Sequence, residues 1–164
     1  MFEELLDANS SYAAGFDLNG LQPRAARGFC LVTCMDTRIE PIRVLGLDPG
    51  DAKILRNAGG RVTDDVLRSL VLATNFLGVT GVAVMHHTGC ALAGTSDSEL
   101  SRALPDAQRL ATSDIGFLSM PDQEAALAAD VEALRGCRGL ASGVLVEGWR
   151  YDVATGVVDR RIKA

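Results

Sequence analysis

Short runs of β-forming residues alternate along this chain with stretches of helical periodicity, and that alternation narrows the possible folds most. The runs are "FCLVTCM" (29–35), "AKILRNAGG" (52–60) and "GVAVMHH" (81–87). The first and third are short, largely apolar runs, as strands buried on both faces are. Helices are expected over "IEPIRVLGL" (39–47), "TDDVLRSLVLATNFLG" (63–78), "SDSELSRAL" (96–104) and "PDQEAALAADVEALRG" (121–136). Pro41 and Pro121 suit first helical turns. The 63–78 stretch is the clearest. Thr63 can cap it, and Asp64 and Asp65 sit at its positive end. Val66, Leu67, Leu70, Val71, Ala73 and Leu77 form a broad apolar face, and Gly78 ends it. Such alternation predicts an α/β fold with a mostly parallel central sheet flanked by helices. The closing "SGVLVEGWRYDVATGVVDRRIK" reads as two strands about a "DVATG" turn, an added hairpin or sheet edge that supplies a C-terminal edge strand.

Sites in such sheets form beyond the carboxyl ends of the strands. Two of those ends carry unusual chemistry. The first strand ends in "CMDTR" and the third in "HHTGC", so Cys34 and the segment from His87 to Cys90 occupy equivalent positions. The chain has only two histidines, His86 and His87, and four cysteines: Cys30, Cys34, Cys90 and Cys137. With no secretory signal at the acidic start "MFEELLDANS" and enough chain for a sizeable core, metal ligation is favoured over a disulfide framework.

Zinc takes three or four Cys and His ligands. His87-x-x-Cys90 lets a strand end and its turn wrap one ion, and on spacing alone His86-x-x-x-Cys90 would also serve. Adjacent strand residues point to opposite faces, so only one of the two histidines can share a face with the metal. Cys34 is the best remote ligand. Cys30, four residues earlier on the same strand, is about 13 Å away at about 3.3 Å per residue. In extended geometry Asp36 and Arg38 would face the same side as Cys34. A carboxylate beside an arginine stays ionised and oriented. Three protein ligands leave a fourth position for water, the layout of a catalytic zinc that makes hydroxide at neutral pH. The blander readings make Cys30 and Cys137 small core residues, His86 a packed or hydrogen-bonded one, and an Asp-x-Arg pair a weak surface ion pair. "NAGGRVTDD" lacks a Walker lysine and serves as a strand-to-helix turn.

These motifs resemble those of the β-class carbonic anhydrases: Cys34-x-Asp36-x-Arg38, His87-x-x-Cys90, the intervening segment from Arg56 to Asp65 and the closing "DVATG". The similarity covers essentially the whole chain and is greatest to short bacterial members beginning with a helix like "YAAGF". It implies one zinc ion per chain held by Cys34, His87 and Cys90. It also implies reversible hydration of carbon dioxide to bicarbonate and a proton, with zinc-bound hydroxide as nucleophile oriented by the Asp36–Arg38 dyad. In a closed state of some members Asp36 leaves Arg38 and binds zinc. A homodimer, in which residues 1–20 form a dimerisation helix embracing the partner subunit, is implied as well, with the pairing of dimers into a tetramer as the alternative. Where many members read "HTDCG", this chain has Gly89 and Ala91, which removes a charge near the site and adds a methyl. Related readings keep the fold and zinc but change the substrate to carbonyl sulfide or carbon disulfide, or make the protein a low-activity zinc-binding regulator.

Length and charge set the remaining expectations. The 164 residues suit one domain over 1–164. Net charge is −5 with no basic run, so neither nucleic acid nor a membrane is expected as partner. No apolar stretch approaches a membrane span, and a cytoplasmic location is expected. The helix at 3–16 has too thin an apolar face for a core of its own, which suits packing on another subunit.

Overall fold

The computed structural model describes residues 1–164. Its centre is a five-stranded sheet in the order β2-β1-β3-β4-β5. The strands are β1 (Phe29–Cys34), β2 (Ala52–Asn57), β3 (Gly81–His87), β4 (Leu145–Tyr151) and β5 (Val158–Ile162). The first four run parallel, and β5 returns antiparallel along β4 as the edge. The mostly parallel sheet with a C-terminal edge strand is therefore as expected. β4 pairs with β3 along its full length and belongs to the sheet proper rather than to an added hairpin.

Six helices accompany the sheet: α1 (Phe2–Ala14), α2 (Pro41–Val44), α3 (Asp64–Phe76), α4 (Asp97–Ala103), α5 (Asp106–Ala111) and α6 (Gln123–Arg135). Pro41 opens α2, and the Thr63 side chain accepts the Val66 amide at the start of α3. α6 starts later than expected. Asp122 caps it by accepting the amides of Glu124 and Ala125, so Pro121 stands outside the helix. A side-chain acceptor satisfies amides that proline, fixed only in φ, cannot. Sequence periodicity also missed α5, whose six residues bury nothing. No helix is long and apolar enough to cross a membrane.

Alternation along β3 splits the core. Val82 and Val84 join Cys30, Val32, Leu70, Leu127 and Val131 against α3 and α6. Ala83 and Met85 join Leu31, Ile39, Met120 and Tyr151 with the site cysteines on the other side. Each fully buried Val, Leu, Ile or Met among them contributes about 1.5–3 kcal/mol. The carboxyl ends of β1, β2 and β3 are thereby held side by side, and the segments that follow them meet. None of the residues of α1 is buried.

Candidate metal centre

At the end of β1 the chain does not stay extended. Asp36 Oδ1 accepts the backbone amide of Arg38 at 2.9 Å, and the Ile39 amide bonds to the Asp36 carbonyl. This side-chain turn, not strand alternation, brings Asp36 and Arg38 beside Cys34. The extended geometry expected for "CMDTR" is thus corrected: an aspartate that captures an amide two residues on competes successfully with the sheet. Arg38 then grips the carboxylate with Nε on Oδ1 at 2.9 Å and Nη2 on Oδ2 at 2.7 Å. Those bonds hold the Asp36 carboxyl well below the usual carboxylate range. Arg38 Nη2 also donates to the Gly89 carbonyl at 2.9 Å, joining the two motifs directly. Arg56 staples the turn from β2, with Nε on the Cys34 carbonyl at 3.0 Å and Nη2 on that of Asp36 at 2.7 Å.

β3 sends its last two residues to opposite sides. His86 turns to α6, where its Nε2 lies 3.2 Å from Asp130 Oδ2. His87 turns to the cysteines. Its Nδ1 bonds the Thr88 carbonyl at 3.0 Å, which leaves the fully buried Nε2 without a hydrogen-bond partner. That atom and the sulfurs of Cys34 and Cys90 all lie within 4.8 Å of one another. The Cys90 thiol donates to Cys34 and draws its pKa well below the ordinary value, and that same bond, with burial, raises Cys90. Backbone amides of Asp36 and Gly59 face the Cys34 sulfur, and those of Leu92 and Ala93 face Cys90. Cys30 is the contrast: burial pushes its thiol up to about 12, and it is an inert core residue.

A buried imidazole nitrogen with no partner, facing two sulfurs that receive amide donors, is a donor set that fits zinc. Two thiolates and one imidazole are ligands of the types and number a catalytic zinc uses. Asp36 Oδ2 stands 3.9 Å from His87 Nε2 while still held by Arg38. The group opens on a cavity of about 440 Å³ lined by Met35, Thr37, Ala58, Gly59, Ala91 and Leu92 besides Cys34, Asp36, Arg38 and Cys90. Gly89 has φ +62°, and a Cβ there would sit 3.6 Å from Arg38 Nη1, so an acidic side chain at 89 would lie against the guanidinium. Ala91 is exposed and lines the cavity.

The structure thus brings together Cys34, Asp36, Arg38, His87 and Cys90, and sends His86 elsewhere. Sequence reasoning missed three groups at the site, the Gly59 amide, Leu92 on the wall and Gln123, whose Nε2 donates to the His87 carbonyl at 3.0 Å, and it missed Asp130, the partner of His86. Asp130 had a legible signal. It falls among Leu127, Val131 and Leu134 on the apolar face of α6, where a carboxylate must have buried partners.

The sequence model of the carbonic anhydrase family matches residues 29–112. The β-carbonic anhydrase 1 of Mycobacterium tuberculosis is 38% identical over 104 residues, 63% of each chain, so the match spans just under two thirds of that relative. A carbon disulfide hydrolase of Acidithiobacillus thiooxidans is 31% identical over 150 residues, covering 79% of this chain and 75% of that one. The crystal structure of a carbonic anhydrase from Streptococcus mutans superposes with a TM-score of 0.89 at 36% identity, covering 97% of this chain and 96% of that one.

Proposed function

This chain belongs to the carbonic anhydrase family, in its β class, and from that premise we propose that it catalyses the reversible hydration of carbon dioxide to bicarbonate and a proton. The observation that carries the reading is the convergence of Cys34, His87 and Cys90 beneath an Asp36 carboxylate held by Arg38. Zinc bound by those three residues supplies a Lewis acid that brings the pKa of a water near 7, making hydroxide available at neutral pH.

The chain's own groups supply the rest. Asp36 is kept ionised by Arg38, so it acts as a hydrogen-bond acceptor throughout and fixes the orientation of the attacking oxygen. Arg38 spends two nitrogens on that carboxylate and one bond on Gly89, which keeps the carboxylate from turning toward the cysteines. The Nδ1 bond of His87 to the Thr88 carbonyl fixes the tautomer that presents Nε2. Ala58, Ala91, Leu92 and Met35 give the cavity an aliphatic wall suited to a small apolar substrate. The protein works as a homodimer, a reading supported by the unburied apolar side chains of α1.

Hydrolysis of carbon disulfide or carbonyl sulfide is the second reading. The Acidithiobacillus relative and the same aliphatic wall favour it. Stopped-flow hydration of carbon dioxide across neutral pH, run beside carbonyl sulfide and carbon disulfide on one zinc-loaded sample, separates the two. Fast hydration rising with pH supports the anhydrase. Turnover of the sulfur substrates with negligible hydration replaces it.

A further inference from the structure

Asp130 has no place in the reaction, yet it is the one buried carboxylate of the chain. It is 4% exposed. Arg61 Nε donates to Oδ2 at 2.6 Å and Arg61 Nη2 to Oδ1 at 3.4 Å. The Val62 amide reaches Oδ1 at 3.2 Å, and His86 Nε2 lies 3.2 Å from Oδ2. These donors come from the two segments that shape the metal centre.

The first is the turn after β2. Asn57 closes it by exchanging two bonds with the backbone of Arg61, at 2.8 and 2.9 Å. Within it lie Gly59, whose amide faces the Cys34 sulfur, and Gly60. Gly60 has φ +69°, and a Cβ there would stand 2.9 Å from backbone atoms of Thr33 and Cys34. The turn is therefore pressed directly on the strand end that carries a ligand, and Asp130 fastens its far side. The second segment is the end of β3. His86 precedes His87, so its anchorage fixes the peptide from which His87 projects. α6 grips that strand end twice, through Asp130 and through Gln123 on the His87 carbonyl.

We infer that Asp130 is a positioning residue of the metal centre, joining through Arg61 and His86 the turn that presents the Gly59 amide to Cys34 and the strand end that carries His87. The inference rests on the reading of Cys34, His87 and Cys90 as ligands. A buried ion pair whose partner is removed destabilises a protein whatever else it does, so the test must separate metal affinity from stability. Zinc affinity of the full chain is measured by competition with a chromophoric chelator, and the cobalt-substituted protein is examined by its thiolate charge-transfer and d–d absorption. Wild type, Asp130→Asn and Leu134→Ala are compared at a temperature where all are folded. Leu134 is equally buried on the same helix, away from the site.

Asp130→Asn is expected to weaken zinc by about 10- to 100-fold, the range for partners that orient ligands, and to shift the cobalt bands. Leu134→Ala should lower the melting temperature with zinc affinity unchanged. Should Asp130→Asn fail to fold, Arg61→Lys serves in its place. It keeps a cation beside Asp130 but loses the fork, and is expected to weaken zinc in the same direction. Tight wild-type binding with Asp130→Asn, or the lysine variant, unchanged overturns this inference alone. Wild-type protein that takes up no zinc overturns the ligand reading and this inference with it.

Discussion

Asp36 has only two acceptor oxygens and gives both to Arg38, with the Arg38 amide also on Oδ1. Replacing it by Asn keeps the shape of the turn but loses one acceptor and the charge that binds the guanidinium. Hydration should fall by about 100-fold, the cost of a misoriented reacting group, while zinc stays at one per chain because no ligand is touched. Stopped-flow rates beside zinc content read this out, and an unchanged rate removes the dyad from the mechanism. At this scale the sequence was informative. Ligands spaced by three residues, and an acid-base pair within four of a cysteine, are local patterns. What it could not convey was how the pair is brought to the site. Two residues cannot announce whether a strand continues or an aspartate captures the Arg38 amide, since both conformations are locally satisfied. The orphaned Nε2 of His87 was likewise legible only as a choice between adjacent histidines, settled by which face of β3 meets α6.

Elements carry the second level, and the packing of α6 on β3 is where charge and helix meet. Burial pushes the Asp130 carboxyl up, but the bonds from His86 and Arg61 outweigh it, so its pKa in the fold lies below the ordinary value. A carboxylate depressed by folding stabilises the protein above its unfolded pKa of about 3.9, and that contribution is lost as pH falls through the lower folded value. At pH 7 the Asp130→Asn variant should be less stable than wild type by about 3–5 kcal/mol, the cost of breaking a buried pair. Near pH 3 the gap should narrow, because the unfolded wild-type chain then takes up a proton at Asp130 that the folded carboxylate still resists. Denaturant midpoints of both proteins at the two pH values give the answer. A gap that holds or widens in acid contradicts the assignment of the charge. The strands and α3 were readable because their apolar patterns are long. α5 and the later start of α6 were not, since one depends on a six-residue helix with no buried face and the other on a single capping carboxylate.

In the whole molecule, α1 is out of keeping with the rest. Phe2, Leu5, Leu6 and Tyr12 on the helix, and Phe16 just beyond it, are 48–72% exposed, and their one aromatic contact is between Tyr12 and Phe16. A helix of 13 residues is marginal in water unless its apolar face is covered. Nothing in its own chain covers it, and a second copy is the occupant the family resemblance implies. The sequence could signal only that the helix lacks a core of its own, because a partner's surface leaves no mark in the helix beyond unclaimed apolar residues. The wild-type chain should therefore show twice its 17.3 kDa mass by light scattering. Removal of residues 1–20 should shift it toward the monomer. Zinc content separates assembly from the metal centre: Cys34, His87 and Cys90 come from one chain, so the truncated protein should still hold one ion. A truncated chain with the wild-type mass, or a monomeric wild type, would mean that α1 serves some contact other than the one between copies.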